Sequence, residues 1–499
     1  MKIYQRFFLV SFLMAVFLAV ACSSSSTTTA STTPTGQATV TGTLYQPNGT
    51  DPLPGALLYI STSSSSSLVK ALTTPSTRPG NFGNFLTVGT DCDDVPSGTT
   101  AAGSTCTDAD GTFLLSLSDC SLFTLTDTLV TINYKKGSTI SGTFTTTLTC
   151  SGSSTTPTTN TVAADDSTIA GDSANLKIAI CSGAWDQMEN VLARMGFAPS
   201  DTDEDGTDDL NGWDGTVTEN FNYFRGETGA DEDFPSCCEL LKGEDVAITD
   251  QDGNAVVDSA GAAITRSMSD YDILFLNCGS GCELGGFTTV IEDVLTNADS
   301  QTAIQNFVSD GGAFYVTDLS YDFIEQNFPG EVDFAGGGSG TSAETEQAAQ
   351  VGTSGSGVFE PLSATVNEDT LKNYLSSVTA GNTDCATPTG TGALNSDESV
   401  FLCDFLSSWA VMIGLETGNS TTDWIQGAPS YSGGPYTNAA GATVTSGSTD
   451  IPLTVGFAEG DGAVLYTSYH TDNSSTLTTE FLPQERVLQF LILDLLGQI

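Results

Sequence analysis

The hydrophobic positions along the chain change their period twice. From Ala38 to Cys150 apolar residues fall in short alternating runs, ATVTGTLYQ, GALLYIST, DGTFLLSL, LVTINY and GTFTTTLT, punctuated by Gly, Pro, Asn and Asp. Alternation of period two between turn residues predicts strands with one buried face, stacked as a small all-β sandwich. From Leu176 onward the runs become near-continuous: LKIAIC, YDILFLNC, AFYVT, IPLTVGF and AVLYTSYH. Segments of helical spacing stand between or after them, AWDQMENVLARMGF, TAIQNFVSDGG, YDFIEQNF and a last one from Gln484 to Leu496. Strands apolar on both faces that alternate with helices predict a larger α/β domain whose parallel sheet is covered on both sides. Ser151 to Asn175, rich in Ser and Thr with one Pro, follows neither period and reads as an interdomain linker.

The N-terminus adds an export signal. Lys2 and Arg6 precede fifteen mostly apolar residues, Phe7 to Ala21, too few for a comfortable membrane span. Residues 1–21 are therefore a signal peptide. Leu18-Ala19-Val20-Ala21-Cys22 resembles a bacterial lipobox, which implies lipidation of Cys22. Residues 22–37 then form a Ser/Thr-rich tether, and Ser23 is similar to the residue that follows the cysteine in outer-membrane lipoproteins. The expected location is the cell envelope, as an outer-membrane lipoprotein facing the periplasm or the surface.

Charge narrows the partners. Asp plus Glu outnumber Lys plus Arg by 61 to 13, a formal charge of −48. Such a surface repels phosphate backbones and anionic lipid, so no nucleic acid is expected. The membrane is reached through the lipid anchor, and the remaining partner is an unidentified protein or glycan. Twelve cysteines in an exported chain imply disulfide bonds. Cys92, Cys106, Cys120 and Cys150 precede the linker and suffice for two bridges. Cys385 with Cys403, and Cys237-Cys238 with Cys278 and Cys282, supply three more; Cys181 is left as a buried thiol. A single histidine and an oxidising compartment argue against zinc.

The acidic stretch SDTDEDGTDDLNGWDG holds the sharpest metal-type spacing. Asp201, Asp203, Asp205 and Asp209 alternate around Gly206, with the Thr207 carbonyl and Asp214 available to complete an oxygen shell. Gly212 stands where an EF-hand needs its bidentate Glu, so the pattern is closer to thrombospondin type 3 or dockerin-like loops. Structural Ca²⁺ is the expected cofactor, held by a loop inserted at residues 201–214.

Two family resemblances follow from these residues. Residues 38–150, through VTGTLYQPNG, PLPGALLYI and TDADGTFLLSL, resemble the carboxypeptidase regulatory-like family, a prealbumin-type sandwich. There Thr107, Asp108, Asp110, Gly111 and Phe113 mark a tight hairpin-type turn entering a strand. Residues 176–499, through Tyr271 to Gly279, Gly311 to Asp318 and Val464 to His470, resemble the class I glutamine amidotransferase-like superfamily, which implies a flavodoxin-like fold. Catalytic members carry a cysteine on a strand–turn–helix elbow and a histidine after a late strand. His470, the chain's one histidine, matches the latter, but the elbow reads YVTDLSYDF and places Asp318 at the cysteine's position. Thr471-Asp472 also replaces the usual Pro-Glu. The resemblance therefore implies a degenerate domain acting as a binding or structural component. The alternative is a divergent hydrolase using His470 with Asp318 or Cys278.

Overall fold

The computed structural model describes residues 37–61, 95, 101–117, 127–137, 140–149, 158–161, 176–183, 186, 188–197, 221–226, 234–249, 254–280, 282, 294–295, 297–336, 348–352, 361–380, 388–402, 409–470 and 481–498. Cys22, the acidic loop with Asp201, Asp203, Asp205, Thr207, Asp209 and Asp214, and Cys92, Cys120, Cys150, Cys385 and Cys403 lie outside the described residues.

Seven strands form the first unit: β1 (Ala38–Thr43), β2 (Leu57–Ser61), β3 (Ala101–Cys106), β4 (Thr112–Leu117), β5 (Asp127–Lys136), β6 (Ile140–Thr149) and β7 (Thr158–Thr161). They divide into sheets of order β4-β1-β7 and β3-β2-β5-β6. Alternation decides the faces. In β4, Phe113, Leu115 and Leu117 are buried while Leu114 and Ser116 are exposed. Two expectations change here. Strand β7 lies within the stretch read as linker and pairs in parallel with β1, because Thr tolerates an extended backbone even without an apolar period. The Thr107–Phe113 turn joins strands of different sheets and is not a hairpin: Gly111 adopts φ +72° and its N–H donates to the Asp108 carbonyl.

Beyond it come β8 (Ile178–Cys181), α1 (Met188–Met195), β9 (Phe221–Phe224), α2 (Cys237–Leu241), a ribbon of β10 (Val246–Ala247) with β11 (Thr265–Arg266), and β12 (Ile273–Leu276). Next are α3 (Ala298–Ser309), β13 (Ala313–Thr317), a 3-10 turn over Asp318–Tyr321, α4 (Asp322–Asn327), β14 (Val332–Phe334), β15 (Leu362–Val366) and α5 (Asp369–Ser377). The chain continues with β16 (Ser399–Leu402), β17 (Met412–Leu415), β18 (Thr422–Gly427), the hairpin β19 (Tyr436–Thr437) and β20 (Thr443–Val444), then β21 (Ile451–Glu459), β22 (Gly462–Thr467) and α6 (Pro483–Gln498).

Nine of these strands make one sheet in the order β16-β15-β18-β21-β22-β13-β12-β8-β9. The sheet is mixed, not wholly parallel. Strands β9, β8, β12, β13 and β22 run parallel, whereas β21, β18, β15 and β16 pair antiparallel. The apolar run IPLTVGF predicts a parallel strand, but β21 pairs antiparallel on both sides, since burial of both faces does not fix direction; β15 alternates buried and exposed residues and so forms no apolar run at all. With three two-stranded ribbons, β10-β11, β14-β17 and β19-β20, and the sandwich, the described chain is mostly β with few helices.

Side-chain alternation sends each parallel strand to two cores. Ile178, Ile180, Ile273, Phe275, Tyr315 and Leu465 face α1, α5 and α6 in a core that runs on into the sandwich. Ala179, Leu274, Leu276, Phe314, Val316 and Val464 face α2, α3 and α4. The sandwich is joined to α6 by buried polar contacts: Arg486 reaches Asp51 Oδ2 at 2.8 Å, and Gln489 Nε2 donates to Gln46 and Asp51 at 2.9 Å each.

Candidate functional site

Parallel strands in register bring their carboxyl ends to one line. Phe275 pairs with Tyr315 and Tyr315 with Leu465, so the residues that follow β12, β13 and β22 meet at the same sheet edge. Cys278 follows β12, Asp318 directly follows β13 and His470 follows β22. The three side chains predicted from sequence do come together. His470 Nε2 stands 3.0 Å from Asp318 Oδ2, the Cys278 thiol donates to the same oxygen at 3.9 Å, and the donor atoms of all three lie within 4.8 Å of one another.

Asp318 occupies a sharp strand-to-helix elbow at φ +38°, a left-handed backbone that short polar Asp tolerates better than bulky residues. Thr317 contributes Oγ1 as acceptor for the Cys278 N–H at 2.8 Å, and the Tyr466 hydroxyl donates to the Asp318 carbonyl at 2.9 Å. These contacts lock the elbow to the neighbouring strands.

The cluster is closed. Asp318 and Cys278 are fully buried and His470 is 1% exposed. The Ala410 N–H donates to Asp318 Oδ1 at 2.7 Å. Ala410 is held there by its neighbours: the Gly352 N–H donates to the Trp409 carbonyl, and the Val411 N–H to the Ala349 carbonyl. Gly352 has to be glycine, because a Cβ would lie 2.3 Å from the Trp409 ring. Trp409 and Trp424 are themselves buried. Two surface clefts of about 360 and 340 Å³ are lined by other residues, around Met268 and around Pro329. Burial pushes the Asp318 carboxyl above the usual carboxylate range; His470 and the Ala410 N–H draw it back, and Asp186 adds to the rise.

One expected bridge forms and the other does not: Cys238 pairs within the expected set, but Cys237 takes Cys181 in place of Cys278. Cys181 bonds Cys237, and Cys238 bonds Cys282, while Cys278 is a buried thiol outside both bridges. Cys181 ends β8 beside the start of α2, with its Cα 5.4 Å from that of Cys237, whereas Cys278 points to the elbow. Cys106 is also disulfide-bonded. Sequence reasoning missed Ala410 and Thr317, which act through backbone and hydroxyl groups that carry no sequence signal. Tyr466 lay inside a quoted strand, but nothing in an apolar run announces a hydroxyl aimed at the elbow.

In a thiol–imidazole–carboxylate relay the ring lies between the other two groups and uses both nitrogens. Here one carboxylate oxygen faces both thiol and imidazole. The arrangement suits mutual anchoring of three strand ends better than proton withdrawal from Cys278. The chain matches no protein-family model and no curated protein.

Proposed function

We propose that this is an exported, lipid-anchored envelope protein whose second domain is a degenerate glutamine-amidotransferase-like unit serving as a binding or structural component. The first domain, on this reading, is a carboxypeptidase regulatory-like spacer, and the partner is a protein or glycan met on an outer surface. One observation carries the proposal: Asp318, at the elbow position of the family's nucleophile, is wholly buried with one oxygen held by the Ala410 N–H and the other facing His470. A carboxylate so engaged has no face to present to a substrate carbonyl.

The test uses protein taken from envelope membranes. Partition into detergent reports the lipid on Cys22, and ammonia release from glutamine, with general amide and ester hydrolysis, reports turnover. The expected result is detergent partition lost in Cys22→Ser, with hydrolysis no greater than in His470→Ala. Turnover that vanishes in His470→Ala would replace the proposal with the divergent hydrolase.

The Asp201–Asp214 loop is proposed to hold structural Ca²⁺, because clustered carboxylates repel until a cation relieves them. A ligand that binds only the folded chain adds about 3 kcal/mol at a hundredfold excess over Kd. EGTA is expected to lower the thermal midpoint, Ca²⁺ to restore it and Mg²⁺ to fail. An unchanged midpoint in EGTA would remove calcium from the account.

A further inference from the structure

We infer that Cys278, Asp318 and His470 form a binding site for a divalent transition ion of zinc type. Three observations converge. The donors are a soft sulfur, a borderline imidazole nitrogen and a hard carboxylate oxygen, and the first two favour zinc-like ions over Ca²⁺ and Mg²⁺. Their mutual spacings, 3.9 Å from sulfur to oxygen and 3.0 Å from nitrogen to oxygen with all three within 4.8 Å, are those of atoms around one centre. Bonds of about 2.0 Å to N or O and 2.3 Å to S put tetrahedral ligands roughly 3.3–3.5 Å apart, so small side-chain shifts suffice.

The convergence on one point is the third observation. A catalytic relay strings its groups in a line, whereas here Oδ2 faces both partners. The ligands are also braced as metal ligands commonly are. Asp318 Oδ1 accepts from the Ala410 N–H, the Cys278 N–H donates to Thr317, and Tyr466 fixes the carbonyl of the elbow. A single histidine is enough when a thiol and a carboxylate supply the other two protein ligands, with the fourth position left for water.

On binding, the thiol gives its proton to solvent and the thiolate, carboxylate and neutral imidazole each donate an electron pair to the ion. The burial of all three implies loading during folding. The inference rests on the closed cluster described under the proposed function, yet metal retention and turnover are read separately.

The experiment refolds the full chain with its disulfides intact in Co²⁺, used as a spectroscopic stand-in for zinc. One Co²⁺ per chain is expected, with a thiolate-to-cobalt charge-transfer band and the visible absorption of a four-coordinate site. Zn²⁺ should displace it, and excess Ca²⁺ should not. Cys278→Ser should abolish the charge-transfer band, and His470→Gln should weaken binding at least tenfold while circular dichroism stays native. A wild-type chain that retains no Co²⁺, or a Cys278→Ser variant with an unchanged spectrum, would overturn the inference. Bound cobalt with measurable hydrolysis would uphold the metal site and sink only the non-catalytic reading.

Discussion

Replacing His470 by Ala is expected to lower the free energy of unfolding by about 3–5 kcal/mol, the usual cost of removing one partner from a buried pair. The ring is 1% exposed and stands 3.0 Å from Asp318 Oδ2, so its loss leaves a cavity and a carboxylate stripped of its opposing group. The Ala410 N–H still serves Oδ1, but buried Oδ2 keeps only the weak Cys278 thiol donor at 3.9 Å. Asp318→Asn should cost far less, about 1 kcal/mol. Its amide oxygen can accept from Ala410, and Asn tolerates the +38° φ at the elbow. Asp318→Leu loses the acceptor and strains the elbow, and should approach the His470→Ala value. Urea unfolding in zinc-free buffer measures all three, with midpoints compared at constant slope. If His470→Ala fell within 1 kcal/mol of wild type, the pair would not be what ties the three strand ends together.

The second large effect is a dependence on pH centred on α6. Asp494 is buried on that helix, and neither carboxylate oxygen has a hydrogen-bond partner among the described residues. Burial pushes its carboxyl up from 3.8 to about 7, against the pull of Lys136 from the sandwich strand β5. The sign follows from proton counting. Between about pH 4 and pH 7 the folded chain holds a proton on Asp494 that the unfolded chain has released. Stability therefore falls as pH rises through this window, by on the order of 4 kcal/mol for a displacement of about three pH units. Above pH 7 the full penalty is present; below pH 4 it vanishes. Asp494→Asn should thus stabilise the protein at pH 8 by about 2 kcal/mol or more, the buried amide's own desolvation taking the remainder. At pH 4 the gain should disappear. Chemical denaturation at the two pH values decides it, and an equal effect at both would mean that Asp494 does not titrate on folding.

Much of the candidate site was legible because parallel strands announce themselves locally. An apolar run such as YDILFLNC, AFYVT or AVLYTSYH needs no knowledge of its neighbours to be read as a buried strand, and chemistry collects where such strands end. That placed Cys278, Asp318 and His470 correctly at strand ends. It could not show that one carboxylate oxygen would face both other groups, which separates an anchoring cluster from a catalytic relay. Of the two bridges, Cys238–Cys282 fits the expected set, but the partner of Cys237 was illegible for a related reason. Cysteine arithmetic left Cys181 over, whereas α2 sets Cys237 beside the end of β8 and leaves Cys278 as the thiol.

The amino-acid order alone determined what depends on short windows: the period-two sandwich strands, the apolar parallel strands, the helices between them, and an aspartate at the elbow opposite a lone histidine. Only the tertiary structure decided what depends on residues far apart in the chain. It made the sheet mixed, drew Thr158–Thr161 back beside β1, paired Cys181 with Cys237, and laid Ala410 over Asp318 from 92 residues away. Periodicity is a property of neighbouring side chains competing for the same face. Pairing, closure and the meeting of three donors are set by how whole elements pack, and no local pattern encodes that.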